Sequence, residues 1–281
     1  MAVMMGAALI GLAPILIRYS ELGPQASNLW RFLFALPILG IMAARAPQAS
    51  RAQIGWLGLA GLLFGFELSL WAAALFLTTV TNATLMSNMT PVAAALFGWV
   101  LFRERLAQQT ILGGLIALCG VVALALGRAQ MGVGPSTPED GWLGDGLGLI
   151  SALGYAGYLL IVRSLGTGVS VWAVMFWASL AAAIYALCLS LALGEALLPQ
   201  TLAGWGVLLA LGLVTQLGGQ GLIAYGVGRL PIVVATILLW MQPLAAAVLS
   251  WILFGEALGP LALFGAGLIL AGVFVVQRAR S

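Results

Sequence analysis

The chain has 281 residues, of which 63% are hydrophobic and 7% charged, with a formal net charge of +3. A soluble domain carries about a quarter charged residues to meet water, so this composition excludes a water-soluble globule and makes lipid the main solvent of the exterior. All of the positive charge is arginine, spread singly between apolar runs, which reads as membrane topology rather than a nucleic-acid footprint.

A helix needs about 20 apolar residues to cross the hydrocarbon core, and turn residues and charges cut the chain into segments near that length. The first, 2–19, has no basic start and is followed, not preceded, by Arg18, so it is read as a membrane helix rather than a signal peptide. Segments 27–44, 53–77, 81–102 and 108–127 follow, with a tight polar hairpin expected at Thr78–Asn82. The linker 128–141 is rich in Gly and Pro and carries Glu139 and Asp140. Beyond it come 142–163, 170–194, 201–227, 231–254 and 258–277. The expectation is an all-α membrane protein of ten transmembrane helices: a five-helix repeat at 1–127, an extracytoplasmic linker at 128–141, and a second repeat at 142–281.

With the N-terminus inside, cytoplasmic loops and the C-terminal tail hold Arg45, Arg51, Arg103, Arg105, Arg163, Arg229, Arg278 and Arg280, against Arg18 and Arg128 outside. That asymmetry puts both termini in the cytoplasm. Trp30, Trp56, Trp99, Trp142, Trp205 and Trp251 fall near helix ends, where amphipathic rings favour the headgroup layer. Arg31 sits within a turn of the outer interface, and snorkelling accounts for it.

The chain is self-similar at an offset of 152 residues. ATLMSNMTPVAAALFGWVLFRERL from Ala83 matches ATILLWMQPLAAAVLSWILFGEAL from Ala235, pairing Pro91 with Pro243, Trp99 with Trp251 and Glu104 with Glu256. Chance in an Ala/Leu-rich background does not align Pro, Trp and Glu together. Each half has an odd number of helices, so the second enters the membrane upside down. That is the architecture of alternating-access transporters, with substrate held between the repeats.

Polar groups at membrane depth are costly and mark cavities or helix contacts. Thr84, Asn88 and Pro91 share one helical face, and Thr236, Trp240 and Pro243 are their counterparts, with Gln242 beside them. Each proline frees the carbonyl four residues earlier, at Ser87 and Leu239, for a substrate ammonium, or acts as a hinge. Tyr155 and Tyr158 share a stripe with Ser151; Gln216 and Gln220 lie one turn apart, as do Glu67 and Trp71. These supply ring faces and polar ends to a substrate, or else ordinary helix–helix hydrogen bonds. Glu67, the one carboxylate placed deep in the membrane, is a candidate for proton coupling or for a substrate cation, with Arg31 its candidate partner. Gly113, Gly114, Gly265 and Gly267 are read as close-packing positions.

Gly23-Pro24 leading to Trp30-Arg31-Phe32, together with the Pro91–Glu104 and Pro243–Glu256 blocks, resembles the ten-helix, EamA-type branch of the drug/metabolite transporter superfamily along essentially the whole chain. The aromatic-rich interior is most similar to bacterial exporters of aromatic amino acids. The resemblance implies a multi-pass protein of the bacterial cytoplasmic membrane that exports aromatic and other hydrophobic amino acids. Other metabolites or drugs are the alternative, and a channel-like facilitator a lesser one. A membrane enzyme is disfavoured because the chain has no His and only one deep carboxylate, too few groups for nucleophilic or metal chemistry. No cofactor, metal or nucleic acid is expected. Cys119 and Cys188 read as small apolar residues, and the oligomeric state is left open.

Overall fold

A computed structural model describes residues 1–77, 86–103, 107–130, 141–254 and 259–278 of the chain. Among these residues all regular structure is helical. In lipid this follows from the backbone: an α-helix satisfies every N–H and C=O within one segment. The elements in order are α1 (Ala2–Ile10), α2 (Ala13–Tyr19), α3 (Pro24–Arg45), α4 (Arg51–Leu77), α5 (Thr90–Phe102), α6 (Gln108–Gln130), α7 (Gly141–Leu165) and α8 (Val171–Leu193). There follow α9 (Leu202–Ala210), a π-helical segment Leu211–Gln220, α10 (Gly221–Val227), α11 (Ile232–Leu238), α12 (Met241–Phe254) and α13 (Pro260–Arg278).

Six of these stretches are long and apolar enough to cross a membrane: Pro24–Arg45, Arg51–Ala74, Trp142–Gly168, Val171–Leu193, Leu202–Val227 and Ile232–Leu249. Four shorter apolar helices, Ala2–Ile17, Thr90–Val100, Gln108–Leu124 and Pro260–Val276, lie where the sequence places four further segments. The surface is inverted relative to a soluble protein. Leu112, Trp99, Trp251, Phe264 and Phe274 are exposed, while Gln25, Asn28, Arg31, Ser151, Ser179, Gln216 and Gln220 are buried. Hydrocarbon on the outside removes the usual reward for hiding Leu and Phe, and raises the cost of exposing an amide or a charge.

Several expectations are refined. The segment at 27–44 begins earlier, because Pro24 stands in the first turn of α3, where its missing N–H costs nothing. The single helix expected over 2–19 is two helices separated by a turn at Gly11 and Leu12. Of the six tryptophans assigned to an interfacial belt, Trp56, Trp99, Trp142 and Trp251 are exposed, but Trp30 and Trp205 pack edge-on against each other at 4.7 Å. The hairpin at 78–82, together with Glu104 and Glu256, lies outside the described residues.

The prolines do not kink continuous helices; they follow breaks. Asn88 and Met89 form a turn before α5, and Leu239 and Trp240 form one between α11 and α12. The carbonyls expected to be free are taken locally: Thr90 Oγ1 donates to the Ser87 carbonyl at 2.9 Å, and the Gln242 N–H to that of Leu239 at 2.8 Å.

Helices α6 and α13 pack closely along their length. A Cβ on Gly113 would fall 2.8 Å from the Gly272 carbonyl oxygen, and one on Gly120 would fall 2.7 Å from that of Gly265. Only glycine permits this backbone approach. The contacts are reciprocal, since Gly113 aligns with Gly265 and Gly120 with Gly272. Packing is reciprocal elsewhere too: α4 lies along α8 as the 202–227 run lies along α3.

Candidate functional site

The interior polar groups gather into two linked clusters. The first joins α3, α8 and the π segment. Arg31 Nε donates to Gln216 Oε1 at 2.9 Å, and Gln216 Nε2 donates to Ser179 Oγ at 3.0 Å. Arg31 is 3% exposed, so the snorkelling expectation is corrected: the guanidinium turns inward, where the Gln216 amide accepts from it. Its carbon lies 5.7 Å from the Phe64 ring centroid, within the range at which a desolvated cation gains from a ring face. Further along α3, Gln25 Oε1 accepts from Ser69 Oγ at 2.9 Å, while the buried Asn28 Oδ1 has no hydrogen-bond partner.

The second cluster joins α4, α7 and the π segment. Phe64, Tyr155 and Tyr158 form a stack, with centroids 4.9 Å apart for Phe64–Tyr158 and 5.8 Å for Tyr155–Tyr158. Gln220 Nε2 donates to Tyr158 Oη at 3.1 Å. Ser151 Oγ donates to Glu67 Oε1 at 3.5 Å, and the buried Glu67 Oε2 has no hydrogen-bond partner.

The π segment connects the clusters, because Gln216 reaches the first and Gln220 the second. Thr215 Oγ1 donates to the Leu211 carbonyl at 2.6 Å, closing one of the turns that the wider helix leaves loose. π-helical turns are rare and recur at functional sites.

Between the halves, Trp240 Nε1 donates to the Asn88 carbonyl oxygen at 2.9 Å across 152 residues. That separation equals the sequence offset, so two residues aligned by the repeat meet each other at their respective helix breaks.

The sequence-derived candidates therefore divide. Tyr155, Tyr158, Gln220 and Glu67 come together, Gln216 joins Arg31, and Trp240 meets Asn88. Trp71, one turn beyond Glu67, is half-buried on α4. Thr236 is buried, and its one hydroxyl proton is shared between the Ile232 and Val233 carbonyls of its own helix. Gln242 and Pro243 are half-buried in the first turn of α12, and Pro91 is buried in that of α5. Thr84 lies outside the described residues. The sequence reading missed Arg31 as an interior group, and with it Ser179 and Phe64. The signal was present in Gln25, Asn28 and Phe32, which with Arg31 recur at helical spacing on α3.

Comparison with known proteins bears on the whole chain. The model of the EamA-like transporter family matches residues 1–126 and 142–278. An uncharacterized transporter of Archaeoglobus fulgidus is 26% identical over 284 residues, covering 99% of this chain and 95% of the relative. The uncharacterized transporter YetK of Bacillus subtilis strain 168 is 27% identical over 202 residues, 70% of this chain, and the match spans 60% of that protein's own length. A probable terminal-alkyne amino-acid exporter of Streptantibioticus cattleyicolor is 28% identical over 200 residues, 70% of this chain and 64% of the relative. One solved structure, titled only as the crystal structure of a protein, superposes with a TM-score of 0.80 at 21% identity over 100% of this chain and 98% of that one; this likeness shows the fold.

Proposed function

The chain belongs to the EamA-like transporter family, and from that premise we propose that it is a secondary exporter of small metabolites, with aromatic and other hydrophobic amino acids as its substrates. The mechanism is alternating access between two inverted five-helix repeats, ten crossings in all, with both termini in the cytoplasm of a bacterial cell and the protein in its cytoplasmic membrane. The observation that carries this reading is the Trp240–Asn88 contact. In an inverted-repeat protein, aligned residues can touch only near the pseudo-twofold axis, where transporters of this architecture hold substrate. The reciprocal glycine contacts of α6 and α13 support the same axis.

At that axis each half is interrupted, at 88–89 and 239–240. Broken helices tolerate bending that a continuous ladder resists, so the two turns followed by Pro91 and Pro243 serve as hinges. The stacked rings of Phe64, Tyr155 and Tyr158 favour a flat apolar side chain. The amino-acid exporter among the relatives supports the substrate class. Glu67, with one unpartnered oxygen, is the group through which proton coupling would run.

The test is counterflow of labelled phenylalanine, tryptophan, leucine and threonine into proteoliposomes, with and without a pH gradient. Saturable exchange of the aromatic members supports the assignment. No flux above empty vesicles across a wide amino-acid panel removes it and favours the second reading, export of other metabolites or drugs. Large non-saturating currents would point to a channel.

A further inference from the structure

We infer that Glu21 and Glu195 form an exchanged clasp that latches shut the face of the protein opposite its arginine-rich loops. Glu21 lies just before α3, in the first half of the chain, and Glu195 lies in the loop before α9, in the second. Glu195 caps the first turn of α3, and Glu21 ties down the turn that leads into α9. Glu195 Oε2 accepts from the Ala26 N–H at 2.7 Å and Oε1 from the Gln25 N–H at 3.4 Å, in the first turn of α3. Glu21 Oε2 accepts from the Gln200 N–H at 2.7 Å and the Thr201 N–H at 3.2 Å, and its Oε1 accepts from the Thr201 hydroxyl at the start of α9.

The first N–H groups of a helix have no partner within the helix and carry its positive dipole end, so a carboxylate is the natural acceptor. α3 cannot supply one of its own: its cap residue is Gly23, and a Cβ there would overlap the Glu195 carboxylate. Gly204 gives Glu21 the same clearance, since its Cβ would fall 2.8 Å from the Glu21 carboxyl carbon. Below the carboxylates the seam continues inward. Trp30 Nε1 donates to the Leu197 carbonyl at 2.6 Å, the Trp30 and Trp205 rings meet edge-on, and Arg31 reaches Gln216.

Among the described residues, the opposite face lacks this device. By the repeat, the starts of α4 and α8 correspond to those of the 202–227 run and α3, and the two pairs of helices pack in the same way. There each helix caps itself, as α9 also does through Thr201 Oγ1 and the Gly204 N–H at 3.0 Å, but no carboxylate from across the seam is added among the described residues. Ser50 and Gln53 exchange hydrogen bonds at the head of α4, the Ser50 N–H donating to Gln53 Oε1 at 2.8 Å. Ser170 Oγ accepts from the Trp172 N–H of its own helix. Two halves built alike thus differ where one face is tied across the seam and the other is not. A two-state protein whose gates were equivalent would rest in both states equally. The clasp breaks that balance, so the resting protein is closed on this face and open to the arginine-rich side. The inference rests on the alternating-access reading and supplies its directional bias.

The experiment uses the full chain with Cys119 and Cys188 replaced by Ser and a single reporter, Ser179→Cys, at the inner end of the seam, where Ser179 is 1% exposed. A membrane-impermeant maleimide is added to the outside of intact cells. Glu21→Gln and Glu195→Gln should each speed labelling, and together raise it about tenfold, as a modest shift of a two-state population would. Gln53→Ala on the opposite face should leave it unchanged. Folded Gln variants labelled at the parent rate overturn the latch, and so does failure of both to fold, which would make the carboxylates a structural brace. Faster labelling in a protein that moves no substrate keeps the latch and removes the transport assignment instead.

Discussion

Replacing Gln216 with Leu should unpick the α3–α8–π junction by an amount the geometry allows one to work out. Leucine keeps most of the volume but removes the acceptor of Arg31 Nε, 2.9 Å away, and the donor to Ser179, 3.0 Å away. A hydrogen bond to a charged group contributes about 1.5–3 kcal/mol, and a neutral one about 1. Burying the leucine returns about 1 kcal/mol at most, so the net loss should be about 1.5–3 kcal/mol. Equilibrium unfolding in detergent micelles would measure it. The double variant Gln216→Leu/Arg31→Met is the sharper test, because removing the cation removes the need for its acceptor. It should be less destabilised than the sum of the single changes by about 1–2 kcal/mol. Additivity within about 0.5 kcal/mol would refute the claim that Gln216 is there to hold Arg31.

Other outcomes follow from the same geometry. Gly120→Val puts side-chain carbons against the Gly265 carbonyl and should cost about 1–3 kcal/mol or more, read as loss of the monodisperse peak in gel filtration; Leu112→Val, on the exposed side of α6, should leave it intact. Trp240→Phe keeps a ring but removes the donor that Trp240 Nε1 gives to the Asn88 carbonyl, so counterflow should fall about tenfold for a cost near 1.4 kcal/mol, while Trp251→Phe on the lipid face should not change it. The Glu21 carboxyl is held below the ordinary carboxylate range by the Thr201 hydroxyl and the Gln200 N–H. A lowered folded-state value means that its contribution is complete above the ordinary carboxylate pKa and is lost only as pH falls through the lowered value. Maleimide labelling at Ser179→Cys, taken as a ratio to that of the denatured protein at the same pH so that the falling thiolate fraction cancels, should therefore stay flat from neutral pH to about 5; a rise in that ratio beginning near neutrality would contradict this.

Much of this protein was legible in its composition and spacing. Lipid as solvent forces each crossing to satisfy its own backbone, so apolar runs bounded by turns translate directly into helices, as Val171–Leu193 and Pro24–Arg45 do. The Tyr155–Tyr158 and Gln216–Gln220 stripes marked interior faces, because period 3.6 is a local property, whereas the segments 81–102 and 231–254, read as continuous, are interrupted at 88–89 and 239–240 just before Pro91 and Pro243. What period alone could not give was which faces meet. Arg31 looked like an interfacial residue until α3 was seen packed against α8 and the π segment, where Gln216 accepts from it. Nor could period show that the Thr236 hydroxyl donates back to its own helix. The π winding of Leu211–Gln220 and the exchange of Glu21 and Glu195 across 170–180 residues have no local signature. They arise only when helices from opposite ends of the chain come within hydrogen-bonding distance, and distance is what tertiary packing decides.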